Sequence, residues 1–114
     1  MARYIPKQGD FVAVSFVPQS GHEQKGRRPA LVISKTEFNR HTRMAMLCPV
    51  TNTFRDFPFH VAVPTGSKLT GYIMVEQVKS IDYASRKAKF IEKAPRAVVD
   101  QVLGILDACL YDAT

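Results

Sequence analysis

In the first 92 residues the apolar side chains come in short runs, each closed by proline, glycine or a polar loop. Runs of this length bury as strands and are too short for well-packed helices. Residues 11–17 are apolar with a strand period and β-branched enrichment, and Pro18 closes them. Residues 30–34 form a continuous apolar run, as a strand covered on both faces would. Residues 44–50 make a third run, interrupted only at Pro49. Residues 59–63 alternate, and 71–75, 79–83 and 87–91 supply further short strands. Many short strands in a small chain predict a mainly β fold, a barrel or half-barrel.

Two segments read as helices. Thr36, Glu37, Phe38 and Asn39 follow Ser34, a residue type suited to capping, and predict one or two turns. Beyond Pro95, placed as a first helical residue, Val98, Val102, Leu106 and Leu110 recur every four positions with Val99 and Leu103 beside them. That stripe predicts a C-terminal helix closing one end of the β structure.

The chain has 114 residues and a net charge of +6, a length that fits one domain. All 16 Lys and Arg lie in residues 1–96, whereas Asp100, Asp107 and Asp112 lie beyond. A basic body with an acidic end suits a polyanion such as nucleic acid, and a merely soluble basic protein equally. The opening residues lack the apolar run of a secretion signal and no window reaches membrane-spanning length, so a cytoplasmic protein without a membrane partner is expected. Cys48 and Cys109 match no metal-ligand spacing and sit among apolar residues, which predicts two buried free thiols.

The loops carry the candidate chemistry. Residues 21–28 place His22 and Glu23 between Gly21 and Gly26, followed by Arg27, Arg28 and Pro29. Arg28 stands at a strand entry fixed by proline, and a guanidinium binds phosphate bidentately at any cellular pH; a solvated basic loop would read the same way. Thr51 ends the third strand, where its hydroxyl either donates to a phosphate oxygen or caps a turn. Histidine titrates near neutrality. Of the three, His22 beside Glu23 is best placed for acid–base work, His41 lies in a basic surface stretch, and His60 alternates into a strand as a structural residue. So scattered a set predicts no metal site. Phe54 and Phe57 flank Arg55 and Asp56, either as stacking platforms for unpaired bases or tucked under the loop as core.

The order Gly21-His22-Glu23-Gln24-Lys25-Gly26-Arg27-Arg28-Pro29, running into an apolar strand, closely resembles the signature of the MazF/PemK toxins. Phe38-Asn39, Pro49-Val50-Thr51 and Glu76-Gln77-Val78-Lys79-Ser80-Ile81 are similar to that family's later motifs, as is the opening Tyr4-Ile5-Pro6 with Gly9-Asp10. The likeness runs from about residue 3 to 110.

The resemblance implies a small SH3-like β-barrel of the CcdB/PemK type with a short internal helix and a C-terminal helix. It implies a homodimeric toxin, inhibited by an antitoxin with an acidic tail, that cuts single-stranded RNA at preferred sequences without a cofactor. Arg28 and Thr51 match the catalytic positions, with His22 and Glu23 as proton-transfer candidates. Gln24, Lys25, Arg27, Asn52, Thr53, Phe54, Arg55, Glu76, Gln77, Lys79 and Arg86 are then expected to bind RNA or shape the site. There are departures. Glu76 replaces the usual aspartate, and Met74 stands where the PemK branch has an arginine. The alternatives are a non-catalytic RNA-binding SH3-like module and a CcdB-like gyrase-directed toxin; the latter lacks the Glu-Gln-x-Gly-x-Arg-Pro loop.

Overall fold

The computed structural model describes residues 3–15 and 27–111. Its elements follow in the order β1 (Asp10–Ser15), β2 (Arg27–Val32), α1 (Thr36–Thr42), β3 (Met44–Thr51), β4 (His60–Ala62), β5 (Tyr72–Met74), β6 (Lys79–Asp82), β7 (Lys89–Lys93) and α2 (Arg96–Leu110). A 3-10 turn, Val75–Gln77, joins β5 to β6. Among the described residues no helix is long and apolar enough to cross a membrane.

All the strand pairs are antiparallel, in the order β4-β5-β3-β2-β1-β7, with β6 also on β3. Among the described residues β4 and β7 end this path, so the sheet is open and seven-stranded, where the strand pattern predicted a barrel or half-barrel and the resemblance implied a barrel. One edge of β3 is divided, with Met44 to Leu47 paired to β6 and Val50 and Thr51 paired to β5. Pro49, which has no N–H to donate, sits where that edge changes partner.

The continuous apolar runs follow from burial on both faces. Phe11, Leu31, Cys48 and Val50 join Val61, Ile73, Val75, Val99 and Val102 in one core under α2. Their neighbours Val12, Val14, Ala30, Val32 and Leu47 join Ala45, Ile81 and Tyr83 in a second, with Tyr4 and Ile5 against it. The sheet is therefore the wall between two small cores. Burying so many valine, leucine and isoleucine side chains, each worth about 1.5–3 kcal/mol, is the main source of stability.

Several boundaries differ from the sequence reading. The Ser34 hydroxyl does not cap α1; it donates to Asn39 Oδ1 at 2.5 Å, and Lys35 holds the cap position without a side-chain bond. Helix α1 runs to Thr42 and stops at Arg43, whose φ of 61° is left-handed. Pro95 is the N-cap of α2, one place before the position expected for it. The last strand starts at Lys89 because Lys87, at φ 56°, is still turning.

Cys48 is buried as expected, but Cys109 is exposed. The last turn of α2 runs past the core, and only Val99 and Val102 of the helix are fully covered. Burial first, and the Glu76 charge second, push the Cys48 thiol up to about 12. A thiol reagent applied to the native protein at neutral pH is therefore expected to modify Cys109 and leave Cys48 intact, as read by peptide mass mapping. Equal modification of both would contradict this packing.

Candidate active site

Several of the side chains singled out in the sequence converge at the C-terminal end of β3. Thr51 is its last residue and pairs with Tyr72 of β5. Its hydroxyl oxygen accepts the Thr53 N–H at 3.2 Å, so the turn role expected of a strand-end threonine is present. The crossing is unusually close. Gly71, at φ +121°, faces the backbone of Thr51, and a Cβ there would collide with the Thr51 carbonyl oxygen and lie 3.0 Å from Asn52 Oδ1. Only glycine tolerates both the angle and the approach. Asn52 in turn accepts the Thr70 hydroxyl at 3.0 Å. Gly71→Ala is expected to push Thr51 out of place and destabilise the fold by about 1–3 kcal/mol. Thermal melting checks this, and a wild-type Tm would contradict it.

A cavity of about 200 Å³ opens beside Thr51. Thr51, Thr53 and Arg55 line it from one side, and His60, Met74, Glu76 and Gln77 from the other. The 3-10 turn puts Glu76 and Gln77 there, and β4 brings His60 opposite Met74. The structure thus gathers five of the residues singled out in the sequence, Thr51, Thr53, Arg55, Glu76 and Gln77. Met74, the position where the PemK branch carries an arginine, contributes a thioether to the same cavity.

His60 is more than the structural strand residue expected. Its side chain is only 4% exposed, and its Nε2 lies 3.2 Å from Glu76 Oε2. An ionised carboxylate only accepts, so the proton between them belongs to Nε2. Nδ1 is buried and, among the described residues, has no hydrogen-bond partner. The ring packs edge-on against Phe57, which also meets Phe59. Phe57 nonetheless stays 37% exposed and belongs to neither core. Phe54 is 67% exposed and leans edge-on against Tyr72 at 5.5 Å between centroids.

Arg28 lies on β2 and is exposed. The β2–β3 ladder sets Ala30 opposite Pro49. The described pairs of that ladder stop there, two residues after Arg28, and Arg28 is not among the residues that line the cavity. Arg27 points elsewhere: its guanidinium donates to the carbonyls of Ala13 and Lys87 at 3.0 and 2.9 Å. Arg86 donates to the Ser15 carbonyl at 3.2 Å, and Ser15 N–H returns a bond to Arg86 O. Both arginines thereby tie strand β1 to the segment before β7. Lys79 opens β6 opposite Leu47 and is exposed. His22, Glu23, Gln24 and Lys25 lie outside the described residues.

The family model for the PemK-like, MazF-like toxin of type II toxin-antitoxin systems matches residues 7–110. Endoribonuclease PemK of Escherichia coli is 36% identical over 108 residues, covering 91% of this chain and 81% of that protein. The crystal structure of MazF from Deinococcus radiodurans superposes with a TM-score of 0.85 at 39% identity, over 95% of this chain and 98% of that one. A chain in the MazE–MazF crystal structure from the same organism gives 0.84 at 33% identity, over 95% and 97%. The protein belongs to the PemK-like, MazF-like toxin family of type II toxin-antitoxin systems.

Proposed function

We propose that this chain is a cytoplasmic, sequence-preferring endoribonuclease that cuts single-stranded RNA without a metal, as the toxin of a toxin–antitoxin pair. The observation that carries the reading is the cavity at the end of β3, where Thr51, Arg55, Glu76 and Gln77 meet. The named activity of the PemK relative supports it.

In the proposed reaction the ribose 2′-hydroxyl attacks the adjacent phosphorus and the bond to the 5′-oxygen breaks. The products are a 2′,3′-cyclic phosphate and a 5′-hydroxyl. The 2′-hydroxyl proton passes to His22 or Glu23, and the leaving 5′-oxygen takes a proton from Arg28 or from water. Arg28 stabilises the charged phosphorane, the role suited to a guanidinium that keeps its charge. Thr51 donates its hydroxyl hydrogen to a phosphate oxygen, compatible with its accepting the Thr53 N–H. Asn52, Thr53, Phe54, Arg55, Glu76 and Gln77 hold the bases and backbone of the substrate. Gln24, Lys25 and Lys79 add to the RNA surface, and Arg27 and Arg86 shape it through the backbone bonds they make.

The fold is in this reading an SH3-like barrel of the CcdB/PemK type opened at one seam. The assembly is a homodimer, and its inhibitor is an antitoxin with an acidic tail, as charge complementarity favours. The solved MazE–MazF pair is a precedent for such a complex.

The test is a matched pair of single-stranded oligonucleotides, one RNA and one DNA of the same sequence, incubated with the purified protein. Cleavage of the RNA alone is expected, because DNA has no 2′-nucleophile. Equal cleavage of both would refute the mechanism, and binding of RNA that stays intact would point to a non-catalytic module.

A further inference from the structure

We infer that His60 is a positioning residue that makes the cavity beside Thr51 selective for one unpaired base bearing an exocyclic amino group, against uracil. The inference rests on the RNA-cutting role proposed above and names a residue and a rule of choice for that site.

The geometry begins with Glu76. One of its carboxylate oxygens, Oε2, is held by His60 Nε2 at 3.2 Å. The other is left to accept a hydrogen bond within the cavity that Glu76 lines. An oriented carboxylate that can only accept favours a base that donates there, the exocyclic amine of cytosine, adenine or guanine. Uracil places carbonyl oxygens on either side of its single N–H, and these repel the carboxylate. Gln77 and Arg55 line the same cavity and supply donors for the base's remaining acceptors. Phe54, exposed and between the lining residues Thr53 and Arg55 in sequence, offers a face for stacking.

The buried state of His60 is the independent sign that its bond to Glu76 matters. A residue placed there only to pack would be apolar, since this ring already meets Phe57 edge-on. The histidine instead carries a buried Nδ1 with no partner among the described residues. An unsatisfied buried nitrogen is unfavourable. What the position gains in return is the Nε2 bond that fixes Glu76. His60 touches neither the scissile phosphate nor the attacking group in this scheme; it acts through the carboxylate.

The experiment compares the wild type, His60→Ala and His60→Gln, each confirmed folded by thermal melting. Gln keeps an N–H able to reach Glu76. Long single-stranded RNA is cut and the base frequencies around the cut sites are mapped. In parallel, randomised 2′-O-methyl oligonucleotides, which cannot be cleaved, are partitioned on each protein and sequenced. For the wild type one position is expected to exclude uracil by about tenfold or more. His60→Ala should lose that discrimination at that position alone, and His60→Gln should keep most of it. Unchanged profiles in His60→Ala, a uniform slowing at every site, or a wild type with no uracil-excluding position would overturn the inference. A wild type that binds with this preference but cuts nothing would sink the nuclease reading and leave the subsite standing. A wild type that cuts without it would do the reverse.

Discussion

Arg28→Ala is expected to slow RNA cleavage at saturating substrate by about a hundred- to a thousandfold, the usual cost of removing one preorganised donor to a developing charge. Arg28 is exposed on β2, outside both cores, so the variant should melt close to the wild type. Binding should weaken far less than turnover, because Arg55, Lys79 and the other basic residues still attract the phosphate backbone. Arg28→Lys should recover only part of the rate. Lysine keeps the charge but loses the planar fork that holds two phosphate oxygens at once. Rates for the three proteins on one RNA at saturation check this. A large fall in affinity with turnover intact would instead make Arg28 a binding residue.

The second large effect is structural. Asn39 is completely buried and its side chain is fully engaged. Its Nδ2 donates to the carbonyls of Pro6 and Ser34 at 2.8 and 3.2 Å, and its Oδ1 accepts the Ser34 hydroxyl. Its own carbonyl accepts the Tyr83 hydroxyl at 2.8 Å. One side chain therefore joins the N-terminal segment, α1 and the β2–α1 connection. Asn39→Ala would take away the side-chain donor to the Pro6 and Ser34 carbonyls and the acceptor of the Ser34 hydroxyl hydrogen, and open a small void. A loss of about 2–4 kcal/mol is expected, seen as a fall in Tm of roughly 10 °C. The site residues around Thr51 lie on other elements, so the surviving folded fraction should cut RNA at the wild-type sequences. A variant that melts like the wild type would show that this network contributes little.

Sequence and structure agree where the signal is local. The runs at 11–15, 30–34 and 44–50 mark three strands because each is apolar on both faces, and two cores lie against them. The stripe from Val98 marks α2 because one side of that helix packs on the first core. The ends of elements are less legible. Arg43 and Lys87 turn the chain with positive φ and no glycine to announce it. The pairing pattern was equally hidden, since β3 shares one edge between β5 and β6. In the site, the resemblance pointed to Thr51, Glu76 and Gln77, which the structure brings to one cavity. It did not point to His60. Alternation assigns a histidine to a strand face but says nothing of a carboxylate sixteen residues away across that strand. Arg27 shows the opposite difficulty: its place in a basic motif suggests RNA, while its guanidinium is bonded to backbone carbonyls.

The central claim is that the chain is a metal-independent ribonuclease that uses the substrate's own 2′-hydroxyl. The most direct measurement is to incubate the purified protein with a long single-stranded RNA in excess EDTA and map both ends of every fragment. Discrete cuts carrying 2′,3′-cyclic phosphate and 5′-hydroxyl ends are predicted. RNA that remains intact while bound, or fragments with 5′-phosphate ends, would contradict it.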